Sequence, residues 1–248
     1  MSDQPIRTDL PVHADPRILS NLAPVLDQKD SAVGQQAINS ARGALGAIHS
    51  TMGAIQDVEN KLKPIGTTRI INGQTQLVAS HPEFGKAANA RYSEAFKSIA
   101  ANTKQLEGAA HLLQTKINEA LHDPTASTPT GIALGQEVRA FCKNLSPTER
   151  NDFISAAVSS GDKRTINALL SGQSFLSGMD QSAQDNLRAR AHQAFAPTEV
   201  AQLAATKQAM DYVERAHADL LGKVDRARKL SETPLAKAED ALKKLASG

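Results

Sequence analysis

Two apolar stripes of heptad spacing, separated by a short stretch with a tight-turn dipeptide at its centre, constrain this chain more than any other feature. From Ser31 to Lys63 the residues Ile38, Ala41, Leu45, Ile48, Met52, Ile55 and Leu62 recur at three- and four-residue steps, broken only where Glu59 takes an apolar slot. Such spacing lays one seam along a helix about 50 Å long. Pro64 and Gly66 then stop it. A capping box at Ser80-His81-Pro82-Glu83 starts a second helix, along which Tyr92, Phe96, Ile99, Thr103, Leu106, Ala110, Leu113, Ile117 and Leu121 repeat the pattern. A short link between two such helices predicts that they run antiparallel and zip their seams together. Gly43, Gly46 and Gly53 each weaken the first helix by roughly 1 kcal/mol relative to Ala, which close packing on a neighbouring helix would offset.

Between the stripes, Thr68 to Val78 alternates around Asn72-Gly73, the pair that most readily supplies the two positive φ angles of a type I′ turn. A two-stranded hairpin alone is marginal in water, so its apolar residues need a surface to rest on. Ile70, Ile71, Asn72, Gly73, Leu77 and Val78 are therefore the expected partner-binding residues, at a β tip spanning 67–79.

The expected fold is mainly α: an elongated antiparallel helical hairpin or coiled coil with that tip, plus a helical module and a long C-terminal helix. Residues 1–29, with Pro5, Pro11, Pro16 and Pro24, read as an extended arm with at most one helical turn, ordered by a neighbour. The hairpin follows over 30–123, then a linker by composition over 124–130. A compact helical module covers 131–196. Residues 197–248 hold a long helix with a weaker seam, Leu203, Met210, Val213, Leu220 and Val224, interrupted by His217. Thr233-Pro234 opens a short last helix carrying Leu235, Ala238, Leu242 and Leu245.

Aromatic residues make up 3% of the chain and tryptophan is absent, which favours closely approaching helices over a ring-lined ligand pocket. The formal charge of +2 is too balanced to imply nucleic-acid binding by composition. A single cysteine, Cys142, leaves no intrachain disulfide and no Cys-rich zinc site, and points to a reducing compartment or a particle assembled inside a cell. The start lacks the apolar run of a signal peptide, and no stretch is long and apolar enough to span a bilayer.

The search for chemistry returns little. No two of the seven histidines share the His-x-x-x-His spacing of a helical metal site. Gly172-Gln173-Ser174 begins like a nucleophile elbow but lacks its closing glycine and its strand. Cys142, beside Lys143, reads as packing rather than as a nucleophile. Two helices joined at Ser160-Gly161-Asp162 have helix-turn-helix dimensions, with Lys163 and Arg164 where a recognition helix would meet DNA, but Ile166, Leu169 and Leu170 read as core.

The run Glu137-Val138-Arg139-Ala140-Phe141-Cys142-Lys143-Asn144-Leu145-Ser146 is followed by Arg150, Ala156, Gly161-Asp162, Thr165, Leu169-Leu170 and Phe175-Leu176-Ser177-Gly178. Together these residues resemble a small helical module of uncharacterised tailed-bacteriophage proteins encoded beside capsid genes. The resemblance covers about a fifth of the chain, residues 137–178, and contains no catalytic signature. It implies a virion-associated or assembly protein, internal, ejection, scaffolding or head-tail associated, made in the bacterial host cytoplasm. The expected function is thus non-enzymatic assembly as a homo-oligomer among other virion proteins, without cofactor or metal. A monomeric helical adaptor or effector that binds a host protein is the alternative, and a DNA-binding protein acting through Lys163 and Arg164 stands behind it.

Overall fold

The computed structural model describes residues 7–62, 68–71, 74–77 and 82–231, with the backbone alone for 68–71, 74–77 and Pro82. The chain is mainly helical, and it divides into two compact units whose boundaries fall inside two long helices. One unit draws on Met1–Ala109 and Thr206–Gly248, the other is Ala110–Ala205.

The first unit is a bundle of helix α2 (Ala32–Leu62), helix α3 (Pro82–Leu121) up to Ala109, and helix α8 (Pro197–Ser231) from Thr206 onward. Ser40 Oγ donates to Gln105 Oε1 at 3.2 Å, and farther along α2 Ala54, Val58 and Leu62 share a groove with Ala87 and Glu83, so α2 and α3 run antiparallel. Tyr92 meets His217, and Gly85 N–H donates to Ser231 Oγ at 2.7 Å, so α8 runs antiparallel to α3 as well. The core holds Ile38, Ala41, Leu45, Ile48, Met52 and Ile55 from α2, with Ile99 and Leu106 from α3 and Val213 and Leu220 from α8. Ala209, Ala216 and Ala227 of α8 are buried too, which lets three backbones approach closely. Phe96, placed on the predicted seam, is instead 44% exposed, in ring contact with Tyr92 and His217.

The glycines beside the first seam answer the close-packing expectation in part. A Cβ on Gly43 would come within 2.6 Å of Asn102 Oδ1, and one on Gly53 within 2.8 Å of Arg7 Nη1. Gly46 has nothing within 4 Å, so no contact offsets its helical cost.

The N-terminal segment departs from the extended arm expected for 1–29. Residues Val12–Ala14 and Pro16–Asn21 form 3-10 turns and Ala23–Leu26 forms α1, all laid against α2 with Leu10, Ala14, Leu19, Leu22 and Leu26 buried. Its prolines start these turns rather than preventing them: Pro16 and Pro24 occupy first-turn positions, where no N–H is needed and a fixed φ helps. Arg7 joins Asp57 of α2 at 2.7 Å, and His13 Nε2 lies 2.8 Å from Asp219 of α8. Residues 7–26 thus make these contacts with helices of the same chain.

Between α2 and α3 the backbones of β1 (Thr68–Ile71) and β2 (Gln74–Leu77) pair antiparallel, Thr68 opposite Leu77 and Ile71 opposite Gln74. Asn72, Gly73 and Val78 lie outside the described residues. This pairing falls within the expected 67–79, whereas its place as the tip of an elongated arm is not supported.

The second unit packs the end of α3 with α4 (Pro129–Asn144), α5 (Pro147–Ser159), α6 (Lys163–Leu170), α7 (Gln181–Phe195) and the start of α8. Leu121, Cys142, Ile154, Ile166, Leu169 and Leu187 lie in one core cluster. Thr128, Ser146, Asp162 and Asp180 cap four successive helices, each accepting from a backbone N–H inside the first turn. The stretch 124–130, expected as a linker, is part of this unit. Asp123, 9% exposed, accepts from Thr125 N at 2.9 Å and Thr125 Oγ1 at 2.7 Å, and Thr128 N bonds the Thr125 carbonyl. Asp, Pro and Thr suit a hydrogen-bonded turn as well as a flexible connection, and composition alone does not separate the two.

Candidate partner-binding site

Of the six residues expected to bind a partner, Ile70, Ile71 and Leu77 contribute strand backbone, while Asn72, Gly73 and Val78 lie outside the described residues. Among the described residues an apolar concave surface lies where α2 ends and α3 begins. A groove of about 460 Å³ runs between them. Ala54, Val58 and Leu62 form one wall, Phe84, Ala87 and Ala88 the other, with Glu83 and Arg91 at the edge.

Its origin is local. Ala54, Val58 and Leu62 recur every four residues on α2, a second apolar stripe beside the core stripe that contains Ile55. Opposite them α3 presents two alanines, too small to fill the space between the backbones. Of the lining residues Ile55, Phe84 and Ala88 are buried, at 4%, 6% and 3% exposed, whereas Val58 at the rim is 43% exposed. Glu83 pairs with Lys86 at 3.3 Å and Arg91 with Glu94 at 3.1 Å, so the charged edge is neutralised along α3 itself. The lining is apolar, and its charged groups lie at that edge.

Two other concave surfaces among the described residues are polar and internally engaged. One of about 410 Å³ in the first unit brings Asp9, Asp219, Lys223 and Arg226 together, with Asp9 bonded to Arg7 and Asp219 to His13. One of about 580 Å³ in the second unit contains Arg150, whose guanidinium donates to the carbonyls of Cys142 at 3.1 Å, Leu145 at 2.9 Å and Gly178. That arginine is a clamp on the end of α4.

The candidate reactive groups resolve as packing or pairing. Cys142 is fully buried, and burial pushes its thiol above the usual range, which disfavours the thiolate a nucleophile needs. Lys163 lies over the Phe195 ring at 5.7 Å, and Arg164 reaches Asp123 at 3.5 Å and Thr125 Oγ1 at 3.3 Å. With Thr165, Ile166, Ala168 and Leu169 buried, α6 serves the core and its two cations hold neighbours of the same unit. His217 Nε2 is 3.1 Å from Tyr92 Oη, and burial lowers its pKa. Among the described residues no group of three or more His, Cys, Asp or Glu is placed to hold a metal, and no helix is long and apolar enough to cross a membrane.

Sequence reasoning missed Ala54, Val58, Ala87 and Ala88. The signal was present as the four-residue repeat Ala54, Val58, Leu62, but the heptad seam one position away had already claimed Leu62. No family model, curated protein or solved structure matches this chain.

Proposed function

We propose that the protein is a non-enzymatic structural or assembly protein that associates with further copies of itself by helix packing, as a component of a tailed-bacteriophage virion made in the host cytoplasm. The observation that carries the assembly reading is the open apolar groove between α2 and α3, with Ile55, Phe84 and Ala88 buried in its lining and Val58 exposed at its rim. An amphipathic helix laid into such a groove is a recurrent mode of recognition. The likeness of residues 137–178 to a module of phage proteins supports the virion setting, and the strand pair at the same junction of α2 and α3 offers a second contact.

Magnitudes set the strength of this association. Each large apolar side chain buried in the groove contributes roughly 1.5–3 kcal/mol. Immobilising two proteins costs about 4–15 kcal/mol, so two or three such residues leave a weak contact in dilute solution. Many copies held in one particle would bind far more firmly through multivalency. A concentration series by light scattering tests the reading: the mass is expected to rise above the 26.3 kDa of one chain, and Val58→Asp is expected to hold it there while leaving the helical signal intact. A mass unchanged by concentration would favour a heterologous helix in the groove and remove self-assembly.

A further inference from the structure

We infer that a second copy of this chain docks on the α2–α3 groove about a dyad perpendicular to both helices, with Glu83 of each copy meeting Arg91 of the other. The inference rests on the self-association proposed above and gives it a geometry.

The register of the two helices comes first. Ser40 of α2 bonds Gln105 of α3, and three residues on along α2 a Cβ on Gly43 would meet Asn102, three residues back along α3. Both helices rise about 1.5 Å per residue, so this register carries along the pair. It sets Leu62 level with Glu83, Val58 with Ala87 and Ala54 with Arg91, and all six line the groove. The surface therefore has a centre, Val58 with Ala87, and two ends four residues away on either side.

A dyad through that centre lays each helix antiparallel against its own copy, so residues four before the centre face residues four after it. On α2, Ala54 meets Leu62 at both ends and Val58 meets Val58 in the middle. A small side chain opposes a large one, and two of middle size oppose each other, which keeps the gap even along the stripe. On α3, Ala87 meets Ala87, so those backbones can approach, and Glu83 meets Arg91 twice. The two ions are accessible, with 80% of the Glu83 side chain and 53% of the Arg91 side chain exposed. Each already pairs along its own helix, Glu83 with Lys86 and Arg91 with Glu94, but a carboxylate and a guanidinium both have capacity for a second partner.

A dyad parallel to the helices would instead leave Glu83 and Arg91 of the other copy about 12 Å apart along the axis. Rim charges add little affinity but fix register, and two reciprocal pairs select the perpendicular dyad. A self-complementary contact of this kind is used up by two copies, so growth beyond the pair would need another surface.

The test follows mass by light scattering over a concentration series for Glu83→Arg, for Arg91→Glu and for their equimolar mixture, with circular dichroism as the check on helix content. Either variant alone places like charges at both ends of the contact, and its association is expected to weaken roughly tenfold. Mixing the two restores opposite charges at both ends, and association is expected to return to within a factor of about three of the native protein. A mixture as weak as its components, or single variants that associate like the native chain, would overturn the dyad. A carbodiimide crosslink in Arg91→Lys, made between light and heavy-isotope copies, reads the same contact without reversing a charge. The expected product joins Glu83 of one isotope to position 91 of the other, and its absence where the mass has risen would count equally against the inference. The two failures differ: a native mass that rises while the mixture stays weak keeps self-association and removes the dyad, whereas a native mass fixed at 26.3 kDa removes self-association itself.

Discussion

The bundle and the module of residues 110–205 hold themselves together in different ways. In the bundle, cohesion comes from apolar seams: fully buried Ile38, Leu45 and Ile48 of α2 share the core with Leu106 of α3 and Leu220 of α8. In the module a small core is supplemented by side chains that reach main-chain carbonyls. Arg150 holds the end of α4 against Gly178, Gln184 Nε2 donates to Leu169 O at 3.1 Å and Gly172 O at 2.8 Å, and Arg139 donates to Ala168 O at 2.9 Å. Periodic burial tolerates surface variation and leaves faces free for contact. Carbonyl clamps fix corners, each through one residue that nothing else replaces.

Substitutions break this comparison in order of size. Leu106→Ala, at a fully buried seam position, is expected to cost about 2–5 kcal/mol in chemical denaturation, because a helix bundle this close-packed collapses poorly around a cavity. Arg150→Met should cost about 2–3 kcal/mol through the loss of charge-assisted bonds to four carbonyls, those of Cys142, Lys143, Leu145 and Gly178, and Arg150→Lys should recover little, since an ammonium lacks the planar fork. A module held by burial alone would instead tolerate the methionine.

Glycines sharpen the contrast within the bundle. Gly85→Ala pushes a Cβ to 2.8 Å from Ser231 Oγ and 3.0 Å from Arg228 Cα, and about 1–3 kcal/mol of destabilisation is expected. Gly46→Ala, with open space around it, should stabilise by about 0.5–1 kcal/mol. Thermal melts of the pair separate a contact from a residue that merely tolerates its place.

The smallest effect is a pH dependence. Burial lowers the pKa of His217 in the bundle and of His192 in the module below 6.5, the latter aided by Arg188, so the unfolded chain binds these protons first as pH falls. Their contribution is full above about 6.5 and drains as pH drops toward the folded values. Replacing either residue with Asn should flatten the decline of melting temperature between about pH 7 and 5.5. A steeper decline would show that the protonated ring is the form the fold prefers.

The same contrast explains what the sequence revealed. Heptad spacing gave the core faces of α2 and α3 because burial repeats with the helix, and it named Leu203, Val213 and Leu220 of α8, all buried. It overlooked Ala209, Ala216 and Ala227, since alanine carries no strong apolar signal of its own. The joint at Ser160-Gly161-Asp162 between two helices was legible, being local. The clamp made by Arg150 was not, because its acceptors are carbonyls, and every residue has one. Prolines misled for the N-terminal segment, where they open turns that bury Leu19, Leu22 and Leu26. The groove was hidden for a related reason: it is the space left by Ala87 and Ala88, and a sequence displays the residues that fill space more readily than those that leave it.

Self-association through that groove is the central claim, and the mass of the chain in solution tests it most directly. Light scattering over rising concentration should show the native protein climbing above 26.3 kDa while Val58→Asp, at the exposed rim, stays there with unchanged helicity. A native protein that remains at 26.3 kDa up to its solubility limit, or a Val58→Asp variant that climbs with it, would contradict the account.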